Sequence, residues 1–284
     1  MHITTVAVVG AGIMSSSIAL DLACHDLTII LKDVDEERLK SAKDRIASGF
    51  RMAKMMKKAM KGISLDEILS KIRFTTAYDG FTDADLVIES VTEDWDTKQR
   101  VYRELRRECR EDAVYATNTS CISVTRVAAL LPKPDRVIGT HFMNPVPLKT
   151  LVEVIRGHHT SSETEDAVTN FLKGIEKKSV VVNDSTGFVA NRLSHLFMNE
   201  AAFLVLENVA LPKEIDLIFK EGYGHKMGPL ETADLIGLDT VVQSLEVLYN
   251  SYQDPKFRCC PLLRKMVHAG LLGRKSGQGF YTYS

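Results

Sequence analysis

Residues 3–33 read ITTVAVVGAGIMSSSIALDLACHDLTIILKD. The first seven are β-branched or apolar, the composition of a strand buried on both faces. Gly10-Ala11-Gly12-Ile13-Met14-Ser15 follows as a turn, and residues 16–23 carry a helical pattern. A second apolar run, 28–31, ends near Asp33, 21 residues after Gly12. This is a strand–glycine turn–helix–strand unit. Gly10 permits the tight turn, and Gly12 leaves room for a pyrophosphate to approach backbone amides at the helix N-terminus. Asp33 is placed to bond ribose hydroxyls and to repel a 2′-phosphate, which favours NAD over NADP. Lys32 pulls the other way, since a basic residue there can contact a 2′-phosphate. Ser15 stands where the dinucleotide fingerprint has its third glycine, so a slightly looser helix–strand contact is expected. The competing reading is a plain strand–helix turn without a ligand.

Beyond this unit, strand and helix patterns alternate. Runs at 72–75, 85–89, 114–117 and 179–182 read as further strands. Residues 36–61 read as one long helix with a basic tail, Lys54, Lys57, Lys58 and Lys61, stopped by Gly62. The tail is either a solvated face or a landing site for a phosphate-bearing ligand or an acidic carrier protein. Ser64 with Glu67, and Ser162 with Glu165, have the spacing of capping boxes. The alternation stops at 184–187. From Phe188 onward the pattern is helical, over 189–208, 212–221 and 229–252. The expected architecture is an α/β Rossmann-type dinucleotide-binding domain over residues 1–185, then an all-α C-terminal domain over 186–284. The second domain is rich enough in Leu, Phe and Met to bury surface against a second copy, so a homodimer is expected.

The 284 residues carry 36 Lys and Arg against 37 Asp and Glu, a net charge of −1. No global field draws such a chain to nucleic acid or to a membrane. Its five cysteines are odd in number and lack zinc spacing, so no metal site is expected and a reducing cytoplasm suits them. The N-terminus has no secretory pattern, and no apolar run approaches the length of a membrane span.

A second stretch, 136–156, reads RVIGTHFMNPVPLKTLVEVIR. Two β-rich runs flank a loop stiffened by Pro145 and Pro147. His141 stands where the first run ends, and Glu153 sits inside the second. A carboxylate in a strand otherwise built for burial needs a partner. If the strands are neighbours, the two residues form a general base with its orienting group. The bland alternative is a solvated loop histidine and an edge glutamate. Ser120 adds a hydroxyl at a strand end. It lacks the glycines of a nucleophile elbow, so hydrogen bonding or helix capping suits it better.

Taken together, Gly10-Ala11-Gly12 with Met14, Asn118-Thr119-Ser120, His141 to Pro147, Leu151 to Val154, Gly187 to Arg192, Gly228 to Glu231 and Gly273 to Tyr281 resemble the short-chain 3-hydroxyacyl-CoA dehydrogenase family over nearly the whole chain. The resemblance implies NAD as cofactor, contacted through Gly10, Gly12, Ile13, Met14, Asp33 and Asn118. Glu93 and Lys98 match positions near its nicotinamide end. It implies His141 as general base, Glu153 as the group that fixes its tautomer, and Ser120 and Asn191 as ligands of the substrate oxygen. Lys54, Lys57, Lys58 and Lys61 lie where the family meets the substrate arm. Trp95, Thr119 to Ser123 and His225 to Asp234 resemble more closely a branch acting on hydroxyacyl groups tethered to acyl carrier protein in polyketide extender-unit synthesis, which tilts the expected substrate that way. The alternatives are a 3-hydroxybutyryl-CoA dehydrogenase, a dehydrogenase of free hydroxy acids and, most remotely, a non-catalytic NAD-binding protein. Thr186, where the family usually has proline, is expected to loosen the chain before Gly187.

Overall fold

The first strand, β1 (Thr5–Val9), is apolar on both faces and lies at the centre of a sheet. Its chain turns at Gly10 into helix α1 (Ile13–Ala23) and returns as β2 (Thr28–Lys32), parallel to β1. Gly10 has φ +97°, and a Cβ there would lie 2.7 Å from the Ser90 carbonyl oxygen, so only glycine fits this turn. The computed structural model describes residues 2–56 and 62–283. In chain order there follow α2 (Glu36–Met56), α3 (Leu65–Ser70), β3 (Ile72–Thr75), β4 (Leu86–Glu89), α4 (Trp95–Glu108), β5 (Val114–Thr117) and α5 (Val124–Ala128). The first unit is completed by β6 (Val137–Phe142), β7 (Leu151–Arg156), α6 (Ser162–Gly174) and β8 (Lys178–Asn183).

The eight strands run in the order β3-β2-β1-β4-β5-β6-β7-β8. The first six are mutually parallel, β7 is antiparallel to β6, and β8 is parallel to β7. The order reverses between β1 and β4. That is the switch point of a Rossmann-type sheet, where the strands' carboxyl ends leave a crevice. One core cluster joins Val6, Val8, Ile29 and Leu31 of the sheet to Ile18 and Leu22 of α1 and Leu39, Ile46 and Phe50 of α2. Each such side chain contributes about 1.5–3 kcal/mol when fully buried.

Several local expectations shift. Helix α2 is described to Met56, and Lys57, Lys58 and Lys61 lie outside the described residues. Lys54 is described, and its ammonium donates to the Ile63 carbonyl at 2.9 Å. The cap of α6 is Ser161, not Ser162. Ser161 has the extended backbone of a cap and its hydroxyl accepts from Thr164 N, whereas Ser162 is already the first helical residue. Ser15 is fully buried, and its hydroxyl donates to the Ser90 carbonyl at 3.1 Å, so the substituted glycine position gains a tie to the end of β4.

Residues divide into two compact units, Met1–Asp184 and Ser185–Ser284. The second consists of α7 (Ala190–Leu206), α8 (Pro212–Leu217), α9 (Pro229–Ile236), α10 (Leu238–Tyr252) and α11 (Pro261–His268). The helix expected over 212–221 widens at Ile218–Gly222 into a π-type turn. The one expected over 229–252 is two helices, because Gly237 takes φ +103° between them. Thr186 is tied within this unit: its hydroxyl pairs with Ser251 and its carbonyl accepts from Tyr252. The tail folds back onto two buried aspartates. Asp234 accepts from Phe280 N, Tyr281 N and the Tyr283 hydroxyl, and Asp216 from the Tyr281 hydroxyl. Among the described residues no helix is long and apolar enough to cross a membrane, and no group of three His, Cys, Asp or Glu could hold a metal ion.

Candidate active site

Strand β6 extends through His141 to Phe142, so the histidine lies within the strand. The antiparallel register sets His141 directly opposite Glu153 of β7. Directly paired residues of an antiparallel ladder place their side chains on the same face. Both are largely buried, and His141 Nδ1 lies 2.8 Å from Glu153 Oε2. A carboxylate can only accept, so Nδ1 carries the hydrogen and Nε2 is left as the basic nitrogen. Ser120 Oγ stands 3.3 Å from Nε2. Three residues widely separated in sequence thus form one line, Glu153–His141–Ser120. Such a line can accept a proton at Nε2 and stabilise the imidazolium through the carboxylate.

The turn that carries Ser120 is held from below. Glu93 Oε1 accepts from Ser120 N at 3.0 Å, Cys121 N at 2.8 Å, Ile122 N at 3.1 Å and the Thr119 hydroxyl. Lys98 is fully buried and bonds both oxygens of Glu89, at 2.7 and 2.9 Å, with Glu93 Oε2 at 3.7 Å. Glu89 also accepts from the Thr117 hydroxyl and from Val91 N. Burial alone would push the Glu93 carboxyl up. The Lys98 charge and the bonds from Thr119, Cys121 and Ile122 outweigh it and hold the carboxyl below its ordinary range. The stability Glu93 contributes is therefore present above the ordinary carboxylate range and is lost as pH falls through the depressed value.

Asn118 joins two strand ends. Its amide nitrogen donates to Ser90 Oγ at 2.9 Å and its oxygen accepts from Phe142 N at 3.3 Å. Asn191 stands in the second unit, in the first turn of α7, where its carbonyl accepts from His195 Nδ1. Of the four expected catalytic residues, the structure brings together the three that belong to the first unit.

A cleft opens at the carboxyl ends of β1, β2 and β4, lined by Gly10, Gly12, Asp33, Arg38, Ser90 and Thr92 among others. Asp33 Oδ2 accepts from Ala11 N at 2.6 Å, which braces the glycine turn. Arg45 of α2 braces it from the other side, donating to the Ala11 carbonyl at 2.6 Å. A Cβ at Gly12 would meet nothing within 4 Å, so nothing in the protein requires glycine there. That open space suits a ligand approaching the helix N-terminus closely. The Lys32 ammonium lies 4.3 Å above the Tyr78 ring. Ile13 is exposed at the start of α1, and Met14 packs against the core. A second cleft, between α1, α2 and residues 144–148, is lined by Ser16, Ser17, Leu20, Arg45, Asn144 and Pro147 among others.

Residues 5–185 match the model of the 3-hydroxyacyl-CoA dehydrogenase NAD binding domain, and residues 187–283 match that family's C-terminal domain. The chain belongs to the 3-hydroxyacyl-CoA dehydrogenase family. It is 43% identical to a probable 3-hydroxybutyryl-CoA dehydrogenase of Deinococcus radiodurans, over 97% of this chain and 99% of that protein. It is 41% identical to a 3-hydroxybutyryl-CoA dehydrogenase of Bradyrhizobium diazoefficiens, over 99% and 96%. The crystal structure of the (S)-3-hydroxybutyryl-CoA dehydrogenase of Ralstonia eutropha superposes with a TM-score of 0.92 at 40% identity, covering all of both chains.

As a member of the 3-hydroxyacyl-CoA dehydrogenase family the chain takes NAD. The switch-point cleft, the open face at Gly12 and the acid at Asp33 fit that cofactor. The two glycines are expected to respond differently to alanine. Gly12→Ala should cost only about 0.5–1 kcal/mol of stability, the difference between glycine and the poorer cap alanine at a helix N-terminus, yet weaken NAD binding measurably. Gly10→Ala should lower the unfolding midpoint itself. Thermal melts paired with NAD titrations check this, and unchanged NAD affinity in Gly12→Ala would show that the open space is not the cofactor's.

Sequence reasoning passed over Glu89, Ser90 and Arg45, and quoted Thr119 without giving it a role. For Glu89 a signal was present, because an acid ends an otherwise apolar strand just as Glu153 does within its own. Arg45 carried none, being one more basic residue on an amphipathic helix.

Proposed function

We propose that this chain is an NAD-dependent dehydrogenase of short 3-hydroxyacyl-CoA thioesters, with 3-hydroxybutyryl-CoA as the representative substrate. The observation that carries the proposal is the Glu153–His141–Ser120 line in the NAD-binding unit. In oxidation, His141 Nε2 takes the proton of the 3-hydroxyl while the C–H electron pair leaves as hydride and the C–O double bond forms. Bound NAD supplies the hydride acceptor. Glu153 keeps the imidazole in the tautomer that leaves Nε2 basic and then stabilises the imidazolium. Ser120 holds the substrate oxygen in line. In reduction the imidazolium returns the proton to the oxygen as the hydride arrives. The cleft beside Asn144, three residues beyond His141, suits the arm of the thioester.

The sequence leaned toward an acyl group on carrier protein, with CoA as the alternative. The Deinococcus and Bradyrhizobium relatives are both named for 3-hydroxybutyryl-CoA, and they support CoA. Trp95, one of the residues behind the lean, lies under the Arg126 guanidinium at 3.6 Å, which gives its ring a role within the protein. Steady-state oxidation of the same 3-hydroxybutyryl group on CoA and on a carrier protein is the test. The CoA form should have the higher kcat/KM by about 10-fold or more, a difference of roughly 1.4 kcal/mol in transition-state binding. A preference for the carrier protein would overturn the substrate assignment while leaving the dehydrogenase reading intact.

A further inference from the structure

The residues of the Ser120 turn account for its shape only in part, through Thr119 Oγ1, which accepts from Ile122 N at 3.0 Å. The amides of Ser120, Cys121 and Ile122 all point at one place, where a single oxygen, Glu93 Oε1, accepts from all three and from the Thr119 hydroxyl. Successive amides converging in this way form an anion-binding nest. Without an acceptor at that point the turn would leave donors unsatisfied, each costing about 1–3 kcal/mol where buried. The carboxylate that fills the nest belongs to the residue just before the Asp94 cap of α4, and the Lys98 ammonium lies 3.7 Å from its other oxygen. Lys98 is itself fixed by both oxygens of Glu89 at the end of β4, and Glu89 also holds Thr117 at the end of β5. The network thus runs from two strand ends, through a buried ammonium, into the turn whose next group, the Ser120 hydroxyl, faces His141 Nε2 at 3.3 Å.

We propose that Glu93 is a positioning residue that acts on the reaction through Ser120, by filling the amide nest of the 119–122 turn. This goes beyond its expected place near the nicotinamide end of the cofactor, and it rests on the proposed role of Ser120 and His141. One oxygen of Glu93 is committed to four donors of the turn, which gives this carboxylate a role there independent of any cofactor contact. A misplacement of the serine hydroxyl by about 1 Å is enough to cost on the order of 100-fold in rate.

The test is a double-mutant cycle between Glu93 and Ser120 in the full-length enzyme. Glu93→Ala is expected to lower kcat by about 10- to 100-fold with KM for NAD changed by less than about 3-fold, as misplacement of a reacting group requires. Adding Glu93→Ala to Ser120→Ala should cost almost nothing further, because the group it positions is already gone. Glu93→Gln, which keeps an accepting oxygen in the nest, should recover most of the rate and folds as a control if the alanine variant does not. Amide hydrogen exchange without cofactor should quicken at residues 120–122 in Glu93→Ala and far less in Glu93→Gln. Losses that multiply in the double variant, or a rise in KM for NAD with kcat unchanged, would overturn the proposal in favour of a direct cofactor contact. Normal turnover in Glu93→Ala beside a defective Ser120→Ala would overturn it and leave the dehydrogenase reading standing. Normal turnover in both His141→Gln and Ser120→Ala would instead remove the reading on which it rests.

Discussion

Replacing His141 with glutamine is expected to lower kcat for 3-hydroxybutyryl-CoA oxidation by about 100- to 10,000-fold, the usual contribution of a positioned general base. Glutamine is close in size and can still bond Glu153, so the strand pair should survive. It has no nitrogen able to take a proton near neutral pH. NAD binding should change little, because the cofactor cleft at the ends of β1, β2 and β4 does not include His141. The kinetic signature is a fall in kcat and kcat/KM together, since the proton acceptor acts in the transition state and not in ground-state binding. The measurement is steady-state turnover beside an NAD titration of the same preparation. Turnover equal to that of the unaltered protein would sink the assignment of the base.

The dinucleotide unit was the most legible part of the chain. Each of its cues is local: a β-branched run, a glycine that alone fits a positive φ, a helical period and an acid at a strand end. The structure returns them as β1, α1, β2 and Asp33. The His141–Glu153 pair was half legible. Burial of an acid in an apolar strand marked Glu153, but whether the strands were neighbours, and in which register, depended on tertiary pairing. A slip of one residue would have turned the two side chains to opposite faces. Nothing in RVIGTHF alone states that β6 continues through His141, because glycine and histidine dilute the β signal at its end.

The support under Ser120 was hardly legible at all. Glu89, Glu93, Lys98 and Thr119 come from two strand ends, a loop and a helix, and no periodicity links them. Polar residues also misled the helix caps, since Ser161 and Ser162 are chemically identical and only backbone conformation selects the first. In the helical unit, the single helix expected over 229–252 contains Gly237. Its left-handed conformation divides that helix in two. The pattern of failures is physical. Signals that reside in neighbouring residues survive in the sequence, and those created by the meeting of distant strand ends do not.

Lys177→Met is expected to destabilise the first unit by about 3–5 kcal/mol, the cost of stripping the counter-ion from a buried acid. Lys177 is almost wholly buried, and its ammonium lies 2.8 Å from Asp21 Oδ2 in the last turn of α1. The same ammonium donates to the carbonyls of Val146 at 2.7 Å and Lys149 at 2.8 Å. One cation therefore staples the dinucleotide helix to the loop that joins the His141 strand to the Glu153 strand. Methionine fills a similar volume but offers no donor, so the Asp21 charge and two carbonyls lose their bonds together. For a unit of this size the loss corresponds to a fall in unfolding temperature on the order of 10 °C. Pairing the change with Asp21→Leu removes both charges and should recover most of the stability, because a buried ion pair replaced by apolar groups is often neutral. Thermal melts of the two single variants and the double variant give the coupling directly. Singles that melt with the unaltered protein would show that the staple carries no net stability. A double variant less stable than either single would show that the carbonyl bonds, and not the ion pair, hold the loop against α1.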